Sequence, residues 1–482
     1  MKRIPIILAM IFFAFAAFAS FDWKTVKTEE FEVFYKPGYE KRALKLLSSL
    51  DYFKNIPEKI TGSKKTGIPV LLEDFGISAP RGGCANPVYY VMSITNDPGK
   101  EAFRMPLVGA HEYTHMLHLT RSEGLPSLFT FLFGGAFAPP LISPGWAIEG
   151  ITTYTESKIS KYSSRLNNGA YDSYIGACVA ENEFPSVMKA TYRPVEMPSY
   201  LSWYLFGGEF FDFLSKKYGE EKFAEFFEKY SWWPLSYFSP VLPVLGIDSV
   251  LGNVYGKPAE GLWEEWEEYE RERFKDFKMQ GQKITGHGWY SRYPVINSGF
   301  LYYNRVVVRK HAPFSTRAYS DIVRINTKNM KRKKIMSTTS SFTHPVVFAG
   351  GNVYYSIAET KGNYANTANY GFGSFAAVYE ENPETGKKRK ICEGRIRTFY
   401  ADGNALYYAA DKKDGFGSKI YSVGLDGLNK KHLFDTDYLI LRFSNDGGVT
   451  VVEARKEGGN ADLYFFDPEN KSFREMVISP YS

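Results

Sequence analysis

The sequence has few cysteines and no strong excess of either charge. Cys84, Cys178 and Cys392 are the three thiols among 482 residues, too few for a disulfide scaffold or a cysteine-rich zinc fold. The 59 basic and 53 acidic residues give a net charge of +6, too small to indicate a nucleic-acid-binding protein. Hydrophobic residues make up 44% and charged residues 23%, so the chain can bury a core and is not disordered. Its length favours two domains.

The one long apolar run at the start of the chain is too short for a transmembrane helix. Lys2 and Arg3 precede the run Ile4–Ala19, which ends in Ala-Phe-Ala. A spanning helix needs about 20 apolar residues. A short basic region, an apolar stretch and small residues at its end are typical of a secretory signal peptide. We therefore predict that residues 1–19 are a cleaved signal peptide and that the mature protein is periplasmic or extracellular.

The remaining chain divides into two parts of different texture. Residues 21–280 show mixed patterns with helical stretches, and the aromatic and charged run Glu260–Phe277 predicts an amphipathic helix. Residues 281–283 are predicted to be a linker. From residue 284 to 482 short β-type runs alternate with Asn, Asp and Gly. The sequence thus predicts an α+β domain followed by an all-β domain.

The second part contains an internal repeat. Similar runs lie at Phe300–Tyr303, Val353–Tyr355, Leu406–Tyr408 and Val449–Val452, which indicates a repeat of about 42–56 residues. A second strand-like run follows each one, and a turn with a basic stretch then leads to the next unit. Such repeats are typical of propeller blades, and residues 284–482 resemble TolB-like or WD40-like β-propellers with about four blades. Whether these blades close alone, stay open or need further chain or a partner is left open.

The residues with the clearest chemical meaning are in the first part. His111, Glu112 and His115 form an H-E-x-x-H sequence within an apolar stretch that predicts a buried helix. Residues four apart lie on one helix face, so both imidazoles can reach one zinc ion. Glu112 then lies beside the metal's open position, where it can accept a proton from water. Five residues alone are moderately specific, and a helix with two histidines is the alternative.

A third ligand distinguishes the classes of zinc enzyme. A metzincin would have Gly at position 118 and His at position 121, whereas this chain has His118 and Arg121. Glu149, in a segment with helical character, would complete a His/His/Glu site with water in the fourth position. This is the arrangement of a catalytic rather than a structural zinc site.

These residues resemble the gluzincin metallopeptidases, especially peptidase MA-like domains joined to propeller repeats. The resemblance covers roughly residues 25–280 and implies a thermolysin-like zincin fold with one Zn²⁺ held by His111, His115 and Glu149. It implies that Glu112 is the general base and that Tyr204 supplies a hydrogen bond to the transition state. It also implies that an edge strand with Ala85 and Asn86 binds an extended peptide. Tyr174 and Tyr200 are alternatives to Tyr204.

Some features depart from the family or stay undecided. The segment between His115 and Glu149 is long, and the signature with which aminopeptidases bind a free amino terminus is absent, so an endopeptidase and an inactive descendant are both open. The apolar stretch 128–133 could wall the cleft or touch a membrane, although burial is the more common case. Whether the apolar stretch 232–247 packs inside or forms a contact surface is left open. His118 is either a partner of a ligand or a packed helix histidine.

Two further side chains of the predicted second helix are near Glu149 in sequence. Thr153 could orient the Glu149 ligand by a hydrogen bond. Glu156 is expected on a solvated face, because a charged helix residue is more often exposed than a ligand.

The sequence therefore predicts an exported zinc metallopeptidase that hydrolyses peptide or protein substrates, with a propeller that recruits or filters them. One alternative is a catalytically silent envelope protein that binds a protein or glycan through its propeller. Another is a zinc hydrolase with a non-peptide substrate. The intact set of Glu112 and the three ligands favours the enzyme, and contact with the envelope surface is a further expectation.

Overall fold

The computed structural model describes two parts of the chain, one mainly helical and one made of β-sheets. The described residues are 23–73, 83–95, 104–161, 163–192, 198, 201–285, 290–313, 315–360, 374–412, 416–446, 448–457 and 459–476. The predicted signal peptide lies outside them. In the described part of the chain, Cys84, Cys178 and Cys392 form no disulfide bond.

The first part begins with a five-stranded sheet. Its order is β1-β2-β3-β5-β4, with β2, β3 and β5 parallel and the two outer strands antiparallel. Side chains alternate between buried and half-buried along β2 and β3, as expected for a sheet packed on one face. The strands are β1 Lys24–Lys27, β2 Phe31–Tyr35, β3 Ile68–Glu73, β4 Gly83–Asn86 and β5 Val91–Thr95.

Helices pack against this sheet and against one another. The third helix is buried along nearly its whole length, since its Tyr113, Met116 and Leu117 contact the sheet core while Leu107 and Ala110 face the fifth helix. The helices are α1 Glu40–Phe53, α2 Asn55–Thr61, α3 Arg104–Leu119, α4 Gly124–Phe133, α5 Gly145–Ile159, α6 Gly169–Ala180, α7 Val187–Thr191, α8 Ser202–Tyr218, α9 Glu221–Trp232, α10 Ile247–Tyr255 and α11 Ala259–Arg273.

The helical core is aromatic. Trp146 of α5, Phe210 of α8 and Trp263 and Trp266 of α11 are buried, and their rings pack mostly edge to face. Such pairs stabilise by about 0.5–1.5 kcal/mol each beyond the area they bury. The amphipathic helix predicted at residues 260–277 is therefore present, although it ends at Arg273.

Helices α5 and α8 approach each other through glycine. A Cβ on Gly207 would lie 2.1 Å from the Trp146 carbonyl oxygen, and one on Gly150 would lie 2.5 Å from the Gly207 carbonyl carbon. Because a real Cβ does not fit at these distances, the close crossing requires glycine at both positions. The crossing brings Glu149 of α5 and Tyr204 of α8 close to each other.

The apolar stretch 128–133 is exposed, so the expectation that it is buried is wrong, and the stretch 232–247, which the sequence left undecided, also has exposed side chains. In 128–133, Phe131 is 84% exposed and Leu128 51%; in 232–247, Val241 is 81% exposed and Phe238 58%. Pro126 is the one buried side chain of α4. Short 3-10 turns follow the first stretch at Gly135–Phe137 and Pro139–Ile142, and two more lie within the second stretch at Pro234–Phe238 and Pro243–Leu245. No helix among the described residues has the length and apolarity needed to cross a bilayer.

The second part contains four four-stranded antiparallel sheets, consistent with propeller-like repeats. Each sheet is made of four consecutive strands, so each is a meander formed by one repeat. The strands are β6 Tyr290–Asn297, β7 Phe300–Ala312, β8 Ser315–Asn326, β9 Arg332–Thr338; β10 Val347–Ala349, β11 Asn352–Thr360, β12 Ser374–Glu381, β13 Lys388–Gly394; β14 Ile396–Ala401, β15 Ala405–Asp411, β16 Ser418–Gly424, β17 Lys431–Thr436; β18 Leu439–Asp446, β19 Val449–Arg455, β20 Asp462–Asp467 and β21 Ser472–Glu475.

The repeated runs found in the sequence are the second strands of these sheets. The basic stretches expected to connect the units are instead fourth strands, as at Lys388–Gly394. Among the described residues, each apolar core of this part that joins two sheets joins consecutive ones: the first with the second, the second with the third, and the third with the fourth.

Candidate metal centre

Helices α3 and α5 bring His111, His115 and Glu149 together. The two histidines are one turn apart on the same face of α3, and the carboxylate comes from α5. Glu149 Oε2 lies 3.3 Å from His111 Nε2 and 3.2 Å from His115 Nε2. One ligand atom from each residue lies within 4.8 Å of the others. This group could therefore hold a metal ion.

The electrostatics of the group suit a cation. Burial opposes a charge on His111, but hydrogen bonds to the Glu149 and Glu156 carboxylates outweigh it and raise the His111 pKa to about 9. Burial alone would raise the pKa of Glu149, and the neighbouring His115 and His111 lower it strongly instead. Two imidazole nitrogens and one carboxylate oxygen are donors that zinc prefers. The residues present thus fit a divalent ion.

Glu156 contacts the Nδ1 side of the His111 ring, opposite the nitrogen that faces Glu149. The expectation that the Glu156 side chain is solvated is therefore wrong. This side chain is 4% exposed, and its Oε1 lies 2.9 Å from His111 Nδ1. Arg165 donates from Nε to Glu156 Oε2 at 2.9 Å and forms a second bond to Oε1. Arg165 and His111 together lower the pKa of Glu156 to about 2, against the effect of burial. Arg165 Nη2 also lies 3.0 Å from His111 Nδ1. A proton shared between Nδ1 and the Glu156 carboxylate would leave Nε2 free to bind a metal.

Sequence reasoning missed this pair, although one signal was available. Glu156 is seven residues after Glu149, two helical turns along the same face of α5. Arg165 lies beyond the end of α5, and its contact with Glu156 depends on how the chain turns back there. That turn has no sequence pattern that we recognised.

His118 supports the second histidine ligand. Its Nε2 lies 3.3 Å from His115 Nδ1, and its ring packs on Phe227 with centroids 5.1 Å apart. Burial lowers the His118 pKa well below its usual value, so the neutral ring can accept a hydrogen bond from His115 Nδ1. Of the two alternatives for His118, the structure supports the partner of a ligand.

Glu112 follows His111 in α3 and contacts strand β4. It is buried, which raises the pKa of its carboxyl group. The Ala85 backbone N–H donates to Glu112 Oε2 at 2.6 Å. A Cβ on Gly83 would lie 2.7 Å from Glu112 Cγ, so the strand can approach this closely because residue 83 is glycine. The contact fixes the carboxylate beside the ligand group.

The remaining predicted residues have different surroundings. Ala85 and Asn86 lie on β4, which pairs with β5 and has no partner on its other side among the described strands. Thr153 Oγ1 donates to the Glu149 backbone carbonyl, not to its carboxylate, so it does not orient the ligand as proposed. Tyr174 packs partly buried against the helical core, and Tyr200 lies outside the described residues.

Tyr204 is beside the ligand group. The Tyr204 ring, on α8, stacks on the His111 ring with centroids 6.0 Å apart. The Arg165 guanidinium lies 4.4 Å from the centroid of the same Tyr204 ring. Burial, together with the Glu149 carboxylate, raises the pKa of the Tyr204 hydroxyl. A neutral phenol that keeps its proton can donate a hydrogen bond within the site.

Comparison with known proteins finds partial structural likeness alone. No protein-family model and no curated protein matches the sequence. TolB from Acinetobacter baumannii is 18% identical, with 38% of this chain and 42% of that chain covered and a TM-score of 0.26. An oligogalacturonate lyase in complex with manganese is 15% identical over 38% of this chain and 55% of its own, with a TM-score of 0.26.

A third solved structure is the β-propeller domain of the Trilobed protease from Pyrococcus furiosus. It is 12% identical, with 40% of this chain and 73% of that domain covered and a TM-score of 0.25. The chain spans about half the length of the first two proteins, at 42% and 55%. These likenesses are to propeller-type folds over part of the chain and carry no information about its activity.

Proposed function

We propose that the chain is an exported zinc metallopeptidase with a thermolysin-like gluzincin domain in its helical part. The observation that carries the proposal is the His111, His115 and Glu149 group, with Glu112 fixed beside it. A His/His/Glu set leaves a fourth position open, as catalytic zinc sites do and structural sites do not.

Each side chain has a role in peptide hydrolysis under this proposal. Zinc bound by the three ligands would polarise the scissile carbonyl and lower the pKa of a water to about 7. The Glu112 carboxylate accepts the proton of that water and passes it to the leaving amine. The Tyr204 hydroxyl donates a hydrogen bond to the oxygen that becomes negative in the transition state.

The edge strand gives the substrate its orientation in the same proposal. An extended peptide can add to the open side of β4 by main-chain hydrogen bonds near Ala85 and Asn86. Its scissile bond would then pass Glu112, because the Ala85 N–H already contacts that carboxylate. Recruitment of protein substrates is assigned to the four sheets of residues 290–475. An endopeptidase fits this arrangement, since binding along a strand requires no free amino terminus.

The experiment combines metal content with hydrolysis of denatured casein. We expect about one zinc per chain in the wild type and in Glu112→Gln, and loss of zinc in Glu149→Ala. Glu112→Gln should reduce cleavage by about 10²–10⁴-fold, because the base is lost while the metal stays. Unchanged cleavage by Glu112→Gln contradicts the mechanism. Bound zinc without cleavage of any peptide favours the silent envelope-binding protein instead.

A further inference from the structure

A large apolar surface lies on the helical part of the protein. It comprises the exposed apolar side chains between residues 125 and 137 and between residues 232 and 244, and we call it the apolar platform. The two segments contact each other, since the Tyr237 hydroxyl donates to the Phe137 carbonyl oxygen at 2.7 Å and the Phe129 and Tyr237 rings lie 5.7 Å apart. Its members are Leu125, Leu128, Phe131, Leu132, Phe133, Phe137, Trp232, Leu235, Phe238, Val241, Leu242 and Val244, each at least 40% exposed.

The platform is large and carries no charge. Applied to ordinary side-chain areas, these exposures give on the order of 1,000 Å² of apolar surface, against about 300–600 Å² for the largest patch of a typical monomer. From residue 124 to 148 and from residue 230 to 247 the sequence has no Asp, Glu, Lys, Arg or His. The partner of this surface therefore offers apolar contact without complementary charges.

Several polar side chains of the platform form hydrogen bonds within it. Ser127 and Thr130 donate to backbone carbonyls of their own helix, and Ser236 donates to the Trp233 carbonyl. The Trp233 indole N–H donates to the Leu245 carbonyl oxygen at 2.6 Å. The backbone forms helix α4 and short 3-10 turns that contain several prolines, which have no N–H to satisfy. These groups do not need water, as is required of a segment in contact with lipid.

The shape of the platform favours a fluid partner over a rigid one. Phe131, Leu132 and Phe133 are consecutive, and each is at least 59% exposed, so the end of α4 projects on several sides. A flat protein surface could cover one side of such a helix end, whereas lipid can surround it. Trp232 and Tyr237 suit the boundary between headgroups and acyl chains.

We infer that the apolar platform docks the protein on a lipid bilayer by shallow insertion, without spanning it. Insertion of about 5–10 Å would bury the projecting end of α4 and the segment around Val241. Because the platform has no cationic side chains, binding depends on apolar burial and does not require anionic lipid.

Docking in this way would place the metal centre at the bilayer surface. Gly135, after α4, lies so close to Pro87 that a Cβ on it would be 2.8 Å from the Pro87 carbonyl oxygen. Val88 and Tyr89, at the end of β4, are 49% and 79% exposed. The apolar surface thus continues to the strand beside Glu112, and proteins held at a membrane become the accessible substrates.

Flotation with phosphatidylcholine vesicles tests the inference without reference to zinc or activity. We expect the mature chain, without the predicted signal peptide of residues 1–19, to float with the vesicles equally, within about twofold, at 0.1 and 0.5 M NaCl, because salt screens charges and not apolar burial. The double variant Phe131→Glu, Val241→Glu should bind at least tenfold less. The matched control is Tyr52→Glu, Ile296→Glu, which changes two side chains of similar exposure, 78% and 72%, and should bind as the wild type does.

Other outcomes would assign the platform to another partner. Absence of wild-type flotation overturns the inference, as does binding that needs anionic lipid and disappears at high salt. A dimer that dissociates in the Phe131→Glu, Val241→Glu variant would make a second copy of the chain the occupant. Quenching by brominated lipid, reduced in Trp232→Phe, provides an independent measurement of insertion. Far-UV circular dichroism verifies that each variant is folded.

Discussion

A buried histidine should make the β-sheet part sensitive to acid. His344 precedes β10 and is 7% exposed. Its Nδ1 lies 2.8 Å from the Pro345 carbonyl oxygen, so this nitrogen carries the proton. Its Nε2 lies 2.8 Å from the Thr398 hydroxyl, which also accepts a bond from the Phe443 backbone N–H. The neutral imidazole thus connects the second, third and fourth sheets.

The magnitude follows from the pKa of the imidazole. Burial, with a smaller effect from Arg442, lowers the His344 pKa from its usual 6.5 to about 4. The unfolded chain therefore binds a proton on this histidine at a higher pH than the folded chain does. The stability associated with the neutral ring is complete above pH 6.5 and is lost as the pH falls towards 4. A difference of 2.5 pKa units corresponds to about 3 kcal/mol.

Urea unfolding of the full chain between pH 7.5 and 4 measures the effect through the transition of the β-sheet part. Over this pH range the free energy of unfolding of the wild type should fall by about 3 kcal/mol more than that of His344→Gln, in which no group titrates at this position. His432→Gln, which removes a half-exposed histidine of the same part, is measured beside it as the control for the substitution itself. Equal pH dependence in wild type and His344→Gln would refute the reasoning, as would a His344 pKa near 6.5 by NMR.

Two further predictions concern the helical part. Glu156→Gln should weaken zinc binding by about 10–100-fold in a chelator competition, because His111 loses its carboxylate partner. Thr153→Val removes a hydrogen bond to the Glu149 backbone carbonyl and leaves the carboxylates in place, so it should bind zinc normally. An equal loss of zinc affinity in the two variants would show that Glu156 has no specific role. Gly207→Ala should destabilise the protein by about 1–3 kcal/mol in chemical unfolding, since its Cβ meets the Trp146 carbonyl. Gly252→Ala is the control, because a Cβ at this position has no neighbour within 4 Å; it should leave stability unchanged or raise it. A loss of stability similar to that of Gly207→Ala would contradict the packing argument.

Local spacing explains which parts of the site could be predicted. The four-residue interval of His111 and His115 places both on one helix face whatever surrounds the helix. Glu149 could be predicted because the chemistry needs a third ligand and a nearby helix offers a carboxylate. Glu156 could not be assigned in the same way, since its burial depends on Arg165 returning from beyond the helix. Burial of that kind is a property of tertiary packing.

The apolar stretch 128–133 shows the opposite error. Leu128–Phe133 has the composition of a core helix, and composition alone predicts that it is buried. In the structure the neighbouring elements cover one face near Pro126 and leave the rest exposed. The repeats of the second part were easier to predict, because each repeat unit visible in the sequence forms one sheet. Their first and fourth strands are less distinctive, which is why the second strands were recognised first.

The pairing of neighbouring sheets has a consequence for how the second part unfolds. Each core of the described residues that joins two sheets joins a consecutive pair, so the array resembles a one-dimensional chain of coupled units. In such a chain the units at the ends have fewer couplings and open first, while inner units are held from both sides. The second and third sheets should then show the slowest amide hydrogen exchange of the four. A partner that binds the terminal sheets would reduce local unfolding in all of them.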